Sequence, residues 1–420
     1  MWVLHIQIMP VSGDSFWYAN VASNLVEGKG FVVNHHNVLQ EPPDVPQVTA
    51  FFPPGYALAL AAFWRVFGVS VTSAKIFNAV LGTLTIPFVY SLGCHLFHRR
   101  VGLVAAGVFA LSPSAILWLP FVLSEPFFTL LFVVALWVLV AVRPGPRIPW
   151  PAIPLSFGLL VGFAVLTRGQ ALVLLPAALL FWFLRDGWRP GLQQTMLVVL
   201  AMIAVVIPWT IRNWAVMNSP ILIAANAGLN LRIGHAPASN GTFLFFSDPI
   251  DGFESYTEWE VQINRVYTRR AIEYAVTHPG RELELAKNKM LYLYRSESRT
   301  ELPALRMPGS TSPHPRERIL GPLIDVAWYA VLLCAAGSTL FWLRKRPDRM
   351  LFAAVFVLWT LFHVVFFGLE RYHLPLLPLL VIVATGGVWL LLDRTRAFLG
   401  RWRSGPREES PGAPQHEPGR

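Results

Sequence analysis

Charge is what this chain has least of. Only 14% of its 420 residues are Asp, Glu, Lys or Arg, against 54% hydrophobic, and mean hydropathy is +0.49. A soluble domain carries about 25% charge, so a globule of this length could not clothe its surface. Cysteine is scarce as well. Cys94 and Cys334 both lie in apolar runs, which excludes a disulfide framework and a thiolate metal quartet. A signal peptide with a small-residue cleavage site is also missing from the start. What remains is a polytopic, all-α membrane protein, because lipid offers no partner to an open backbone.

What the chain does have is long apolar runs. Nine are long enough to cross a bilayer, at residues 73–95, 101–118, 125–142, 151–167, 170–185, 193–211, 320–343, 350–368 and 372–392. They divide the chain into a first segment (1–72), a six-span part (73–211), a long loop (212–318), a three-span part (319–392) and a tail (393–420). The tail from Ser404, rich in Pro, Gly and mixed charge, reads as disordered.

The net charge of +10 invites a nucleic-acid reading, but its placement removes the need for one. The links at Arg99-Arg100, Arg143 to Arg147, Arg185 to Arg189 and Arg344 to Arg349 hold ten basic residues against two acidic ones. The tail adds six against four. The positive-inside rule makes these links and the C-terminus cytoplasmic. All the excess positive charge then lies on one face.

The first segment and the long loop fall on the opposite, outer face. Asp14 opens an amphipathic helix with Trp17, Tyr18, Val21, Ala22 and Leu25 on its apolar side and Gly28 as its stop. Residues 31–50 read as loop, and 52–68 as a short interfacial helix containing Arg65. In the long loop, Trp259, Ile263, Val266, Tyr267, Ala271 and Tyr274 share one helix face. After His278-Pro279-Gly280 a second helix places Leu283, Ala286, Met290 and Leu293 on its apolar side. Both are expected along the membrane surface or over the bundle.

Ionisable residues collect at span ends rather than mid-bilayer, where a transporter would keep them. Glu125, Arg168, Arg212 and Glu370-Arg371 all fall at outer ends, on the side of Asp14. No ATP or nucleotide-sugar pool exists outside a bacterial plasma membrane, so an activated donor there must arrive in the lipid. A polyprenyl-phosphate sugar meets that need. Transfer to a hydroxyl then requires a carboxylate for the acceptor proton and cations for the departing phosphate. Asp14 and Arg371 suit those roles by type and side, since a guanidinium pairs two phosphate oxygens at once.

The stretch from Asp14 to Leu25, followed by Glu27-Gly28-Lys29-Gly30-Phe31, resembles the first outer loop of GT-C glycosyltransferases. It is most similar to the family 39 group of the protein O-mannosyltransferases and the lipid A aminoarabinose transferase. Further stretches agree in order: Phe52-Pro53-Pro54-Gly55-Tyr56, Leu123-Ser124-Glu125-Pro126, Leu166-Thr167-Arg168, Pro208-Trp209-Thr210-Ile211-Arg212-Asn213, Asn226 to Gly234, and Arg371-Tyr372-His373-Leu374-Pro375.

The resemblance implies a GT-C-like bundle of about nine transmembrane helices with outer juxtamembrane helices and a long outer loop. The implied activity moves a sugar, usually with inversion, from a polyprenyl-phosphate donor to a lipid, glycan or protein hydroxyl. Asp14 and Glu125 take the catalytic positions, and Arg168, Arg371, Tyr372, His373 and Tyr18 the substrate-binding ones. The motifs call for no cofactor with certainty; a divalent metal, if used, would sit on Asp14.

Two departures from the family stand out. Protein O-mannosyltransferases have adjacent acids where this chain has Asp14-Ser15, which favours the broader bacterial group. The family also has a full span before that acid, whereas thirteen residues precede Asp14, reaching roughly 20 Å as helix against a core of about 30 Å. A missing or misassigned start is expected, or else Met1 to Met9 enters the bilayer partway.

Each candidate also has a plain structural role open to it. Asp14 can cap its helix, Glu125 can favour a helix start, Arg168 and Arg212 can snorkel to the interface, and Tyr372 can sit in an aromatic belt. Lys75 reads as an anchor, His35-His36 with Glu41 and Asp44 as solvated loop, and Asn240-Gly241-Thr242 as a chance glycosylation triplet. Two rival activities remain open: a polymerase or ligase using pyrophosphate-linked glycans, and a flippase of lipid-linked saccharides.

Overall fold

The computed structural model describes residues 13–34, 46–244, 255–296, 315–342 and 346–403, with 248, 250, 252, 253 and 298 besides. Met1 to Met9, His35, His36, Glu41, Asp44 and the tail from Ser404 lie outside the described residues.

Helix α1 (Gly13–Val26) buries Trp17, Tyr18, Val21 and Ala22, as its spacing predicts. It stops before Gly28, whose φ of +79° is open to glycine and strained for other residues. A two-residue antiparallel pair, β1 (Val32–Val33) with β2 (Gln47–Val48), ties the segment read as loop. Strands that short leave no period to detect. Helix α2 (Gly55–Phe67) follows, with Tyr56, Leu60 and Trp64 buried and Val66 and Phe67 exposed.

The membrane part begins with α3 (Val71–Leu96), capped by Ser70, whose hydroxyl accepts from the Ser73 amide. It continues through α4 (Arg99–Ala110), the short α5 (Pro113–Leu117), α6 (Glu125–Ala141) and α7 (Ala152–Val165). A 3-10 turn at Gly169–Val173 leads into α8 (Leu174–Asp186), and Gly187 into the 30-residue α9 (Trp188–Met217). The long loop folds as α10 (Ala227–Gly234), α11 (Tyr256–Thr277) and α12 (Pro279–Leu293). The chain closes with α13 (Pro315–Trp342), α14 (Pro347–Val365), a 3-10 turn at Glu370–Leu376 and α15 (Leu377–Arg403).

Eight of the nine runs form continuous helical stretches, and among the described residues six helices are long and apolar enough to cross a membrane by themselves. Helices α6 and α7 are shorter, at 17 and 14 residues. The run expected over 101–118 is broken. Ser112 precedes Pro113 and is driven to ψ +121°, because the proline ring crowds the helical region of the residue before it.

Helix α15 is the most enclosed span, with 72% of its apolar window buried against 11% for α9. Along α9 and α13, Leu200, Ile211 and Leu333 stay exposed, at 61%, 58% and 70%; such a belt suits lipid. Where α7 crosses α9 the approach is set by Gly158 and Gly162. A Cβ on either would lie 2.8 Å from the Ala201 or Val205 Cβ, the small-xxx-small packing of membrane helices.

Among the described residues, two large apolar cores result, besides a small cluster of Leu117 and Ile324. One fills the bundle around Phe128, Phe132, Phe157, Trp182 and Trp359. The other lies at one end of the bundle, where Trp17, Tyr18, Phe51, Tyr56, Trp209, Trp259 and Tyr267 join the first segment to the long loop. Helix α11 buries the predicted Trp259, Ile263, Tyr267 and Ala271, and also Glu260. Helix α12 departs from expectation. Its buried face is Leu285, Lys289 and Leu293, while Leu283 is 77% exposed. Two i, i+4 stripes coexist on that helix, and the one carrying a lysine turns inward.

Candidate active site

Four separate parts of the chain deliver the site. Asp14 sits in the first turn of α1, held against α2 by the edge-on contact of Tyr18 and Tyr56 at 5.1 Å. Glu125 opens α6 after a loop pinned by buried Asn78, which donates from Nδ2 to the Phe121 carbonyl at 2.5 Å. The Tyr56 hydroxyl donates to Asn78 Oδ1 at 2.9 Å, so one amide ties α2, α3 and this loop. Arg168 follows α7, its amide donating to the Ala164 carbonyl at 2.8 Å. Arg371 lies on the 3-10 turn before α15, where the Trp359 indole donates to the Tyr372 carbonyl at 3.1 Å.

These side chains meet. Arg371 Nη2 donates to Asp14 Oδ2 at 2.6 Å, and its Nε stands 3.5 Å from Glu125 Oε1. Arg168 Nη1 lies 2.8 Å from the same Glu125 oxygen and donates to Ser124 Oγ at 3.0 Å. The contacts to Glu125 are charge contacts without hydrogen-bond alignment. Glu125 is 1% exposed between two guanidiniums, whereas the Asp14 side chain is 32% exposed. Two acids thus alternate with two cations, which is how charges survive burial. The Tyr372 ring lies 5.2 Å from the Arg168 guanidinium and 5.6 Å from that of Arg371. Tyr18 donates to Ser124 Oγ at 3.5 Å, and burial pushes its phenol above the usual range; it is a neutral wall residue.

A cavity of about 570 Å³ opens onto this network, lined by Asp14, Tyr18, Arg168, Glu370, Arg371 and Tyr372. A second, of about 470 Å³, shares Gln170, Asn226, Asn230, Phe367 and Tyr372 with it and continues among Ile221, Leu222, Phe362 and Phe366. A chamber with charged groups on part of its wall therefore adjoins a more apolar one, an arrangement that suits a ligand with a charged head and a greasy tail.

Of the residues singled out in the sequence, Asp14, Tyr18, Glu125, Arg168, Arg371 and Tyr372 come together. Glu125 stands behind the two arginines rather than on the cavity wall. His373 points elsewhere: it is fully buried, stacked 3.6 Å from Trp328, with Nδ1 2.8 Å from the Leu293 carbonyl. Arg212 is likewise apart, donating to the carbonyls of Thr49 and Phe31, each at 2.8 Å. The sequence motifs assign no role to Ser124, which lies inside one of them, or to Glu370, which falls at an outer span end and has Arg295 Nε 3.9 Å from its carboxylate.

For a divalent metal at Asp14 the fit is poor. Its carboxylate is engaged by Arg371, and among the described residues no three His, Cys, Asp or Glu side chains converge. No step is routed through a metal here.

Comparison with solved structures defines the class. The chain aligns with the Archaeoglobus fulgidus oligosaccharyltransferase in its apo form at TM-score 0.53 and 12% identity, covering 95% of this chain and 49% of that one. The same protein in complex with Zn and sulfate gives 0.52 and 12%, covering 91% and 45%. The chain thus spans about half the length of that oligosaccharyltransferase. ArnT from Cupriavidus metallidurans bound to undecaprenyl phosphate aligns at TM-score 0.44 and 13% identity, covering 92% and 75%. The protein is a polytopic membrane protein with the GT-C fold, as its motifs implied. Within it, residues 52–214 match the family model described as dolichyl-phosphate-mannose-protein mannosyltransferase. No curated protein matches the chain.

Proposed function

We propose that this protein is a glycosyltransferase that moves a sugar from a polyprenyl-phosphate donor to a hydroxyl acceptor on the outer face of a bacterial plasma membrane. The observation that carries the reading is the Asp14–Arg371–Glu125–Arg168 network on the wall of a cavity that continues into a more apolar one. The isoprenoid occupies the apolar chamber, and its phosphate meets Arg371 and Arg168. An arriving phosphate competes with Asp14 for Arg371 and so frees the carboxylate that the reaction needs.

The acceptor oxygen then attacks the anomeric carbon and its proton passes to Asp14. The bond from that carbon to the phosphate oxygen breaks, and its electron pair stays on the departing lipid phosphate, where the guanidiniums stabilise the added charge. A single displacement of this kind inverts the sugar carbon. Glu125 takes no proton in this scheme. It holds both arginines in place and balances their charge. The excess of basic residues in the opposite links supports an outer site and a cytoplasmic C-terminus.

Asp14→Asn is expected to lower transfer about 10²–10⁴-fold with expression and unfolding temperature intact; wild-type turnover in that variant would overturn the assignment. A polymerase or ligase would accept pyrophosphate-linked donors in preference to monophosphates in the same assay. A flippase would translocate lipid-linked saccharide in vesicles without any glycosidic product.

A further inference from the structure

Lysine is seldom buried without a task, and Lys289 is 1% exposed. It projects from α12 to the end of α14, where Nζ donates to the Val364 carbonyl at 2.9 Å and lies 3.2 Å from His235 Nε2. His235, just after α10, places that nitrogen 2.6 Å from the Val365 carbonyl and its Nδ1 2.8 Å from Glu282 Oε2. Val364 and Val365 are the last residues of α14. Terminal helix carbonyls have no partner within the helix and favour a cation. One lysine and one imidazole, steadied by Glu282, supply what that end lacks.

Six residues beyond Val365 is Arg371, and the chain between is gripped from the same side. The Gly368 amide donates to the Gly241 carbonyl at 3.0 Å. Gly368 lies flat on the Lys289 backbone and Gly234 on the Phe366 carbonyl, leaving no room for a Cβ at either. His373 Nδ1 reaches the Leu293 carbonyl at the end of α12 at 2.8 Å. Phe367, inside this stretch, lines both cavities.

We infer that Lys289, with His235 and Glu282, is a positioning residue that clamps the end of α14 and thereby fixes Arg371 for the lipid phosphate. The clamp is a matter of geometry; its link to phosphate rests on the function proposed above. Burial lowers the lysine to about 8, with Glu282 opposing, so its charge depends on the partners that surround it.

The test uses the purified full chain with farnesyl phosphate as probe. In Lys289→Met, hydrogen exchange over residues 364–372 should quicken about tenfold, and the farnesyl phosphate Kd should rise about tenfold. Amides of α3, α6 and α11 should stay as in the wild type. Glu282→Gln should move both readouts the same way and less far, and stands in should Lys289→Met fail to fold. Unchanged exchange over 364–372, or a rise spread through the whole chain, would overturn the clamp. A local rise with no farnesyl phosphate binding even in the wild type would keep the clamp and remove the donor reading.

Discussion

The bundle and the layer at its end are built on different physics. In the bundle, Phe128, Phe132, Phe157 and Trp182 pack against one another with almost no polar atoms to satisfy, and glycines set the helix spacing. In the end layer, aromatic rings surround ionisable groups that are themselves buried: Glu125, Glu260, Lys289 and Glu370 are only 1%, 0%, 1% and 1% exposed. The first region depends on volume, the second on every buried polar group finding its counterpart. Substitutions in one should therefore change stability, and substitutions in the other should change chemistry.

The sharpest way to break that contrast is a cavity in the bundle. Phe157 is fully buried, edge-on to Trp182 at 5.9 Å. Phe157→Ala should destabilise by about 3–5 kcal/mol, seen as a lower unfolding temperature in detergent, while KM in the surviving enzyme stays unchanged. A changed KM with normal stability would erase the distinction. Next in size is Arg371→Lys, which keeps the charge but loses the fork that reaches Asp14 and faces Glu125. Turnover should fall about 10²-fold with the unfolding temperature held.

The smallest effect sharpens the comparison within the end layer. Glu260 accepts from the Ala50 amide at 2.8 Å and from the Thr49 hydroxyl, and burial pushes its carboxyl up to about 8. Between its ordinary value near 4.5 and about 8 the folded chain holds a proton that the unfolded chain has released. The stability contributed is present at low pH and lost as pH rises through that window. Glu260→Gln should flatten this slope in unfolding temperature measured from pH 5 to 8. An unaltered slope would mean that other groups govern it.

The bundle was the more legible region because its signal is local. Apolar runs and basic links can be counted along the chain, and only the break at Ser112-Pro113 escaped, although the proline announced it. Asp14, Arg168 and Arg371 were legible by type and by their place at span ends. That Asp14 and Arg371 pair directly was not, since they lie 357 residues apart and no periodicity reports a contact of that range. The burial of Lys289 was not legible for a different reason. Amphipathic reading sends lysine outward, and what turns it inward is a set of helix-end carbonyls belonging to α14. His373 came with the motif that holds Arg371; a 3-10 turn sends neighbouring side chains to different sides, and here the imidazole stacks on Trp328.

The pairing of Asp14 with Arg371 also bears on biosynthesis. The acid is synthesised 357 residues before its partner, so α1 waits while helices α3 to α14 are made. A product terminated before Arg371 would hold most of the described helices and the Glu125–Arg168 pair, with Asp14 still lacking its counter-ion.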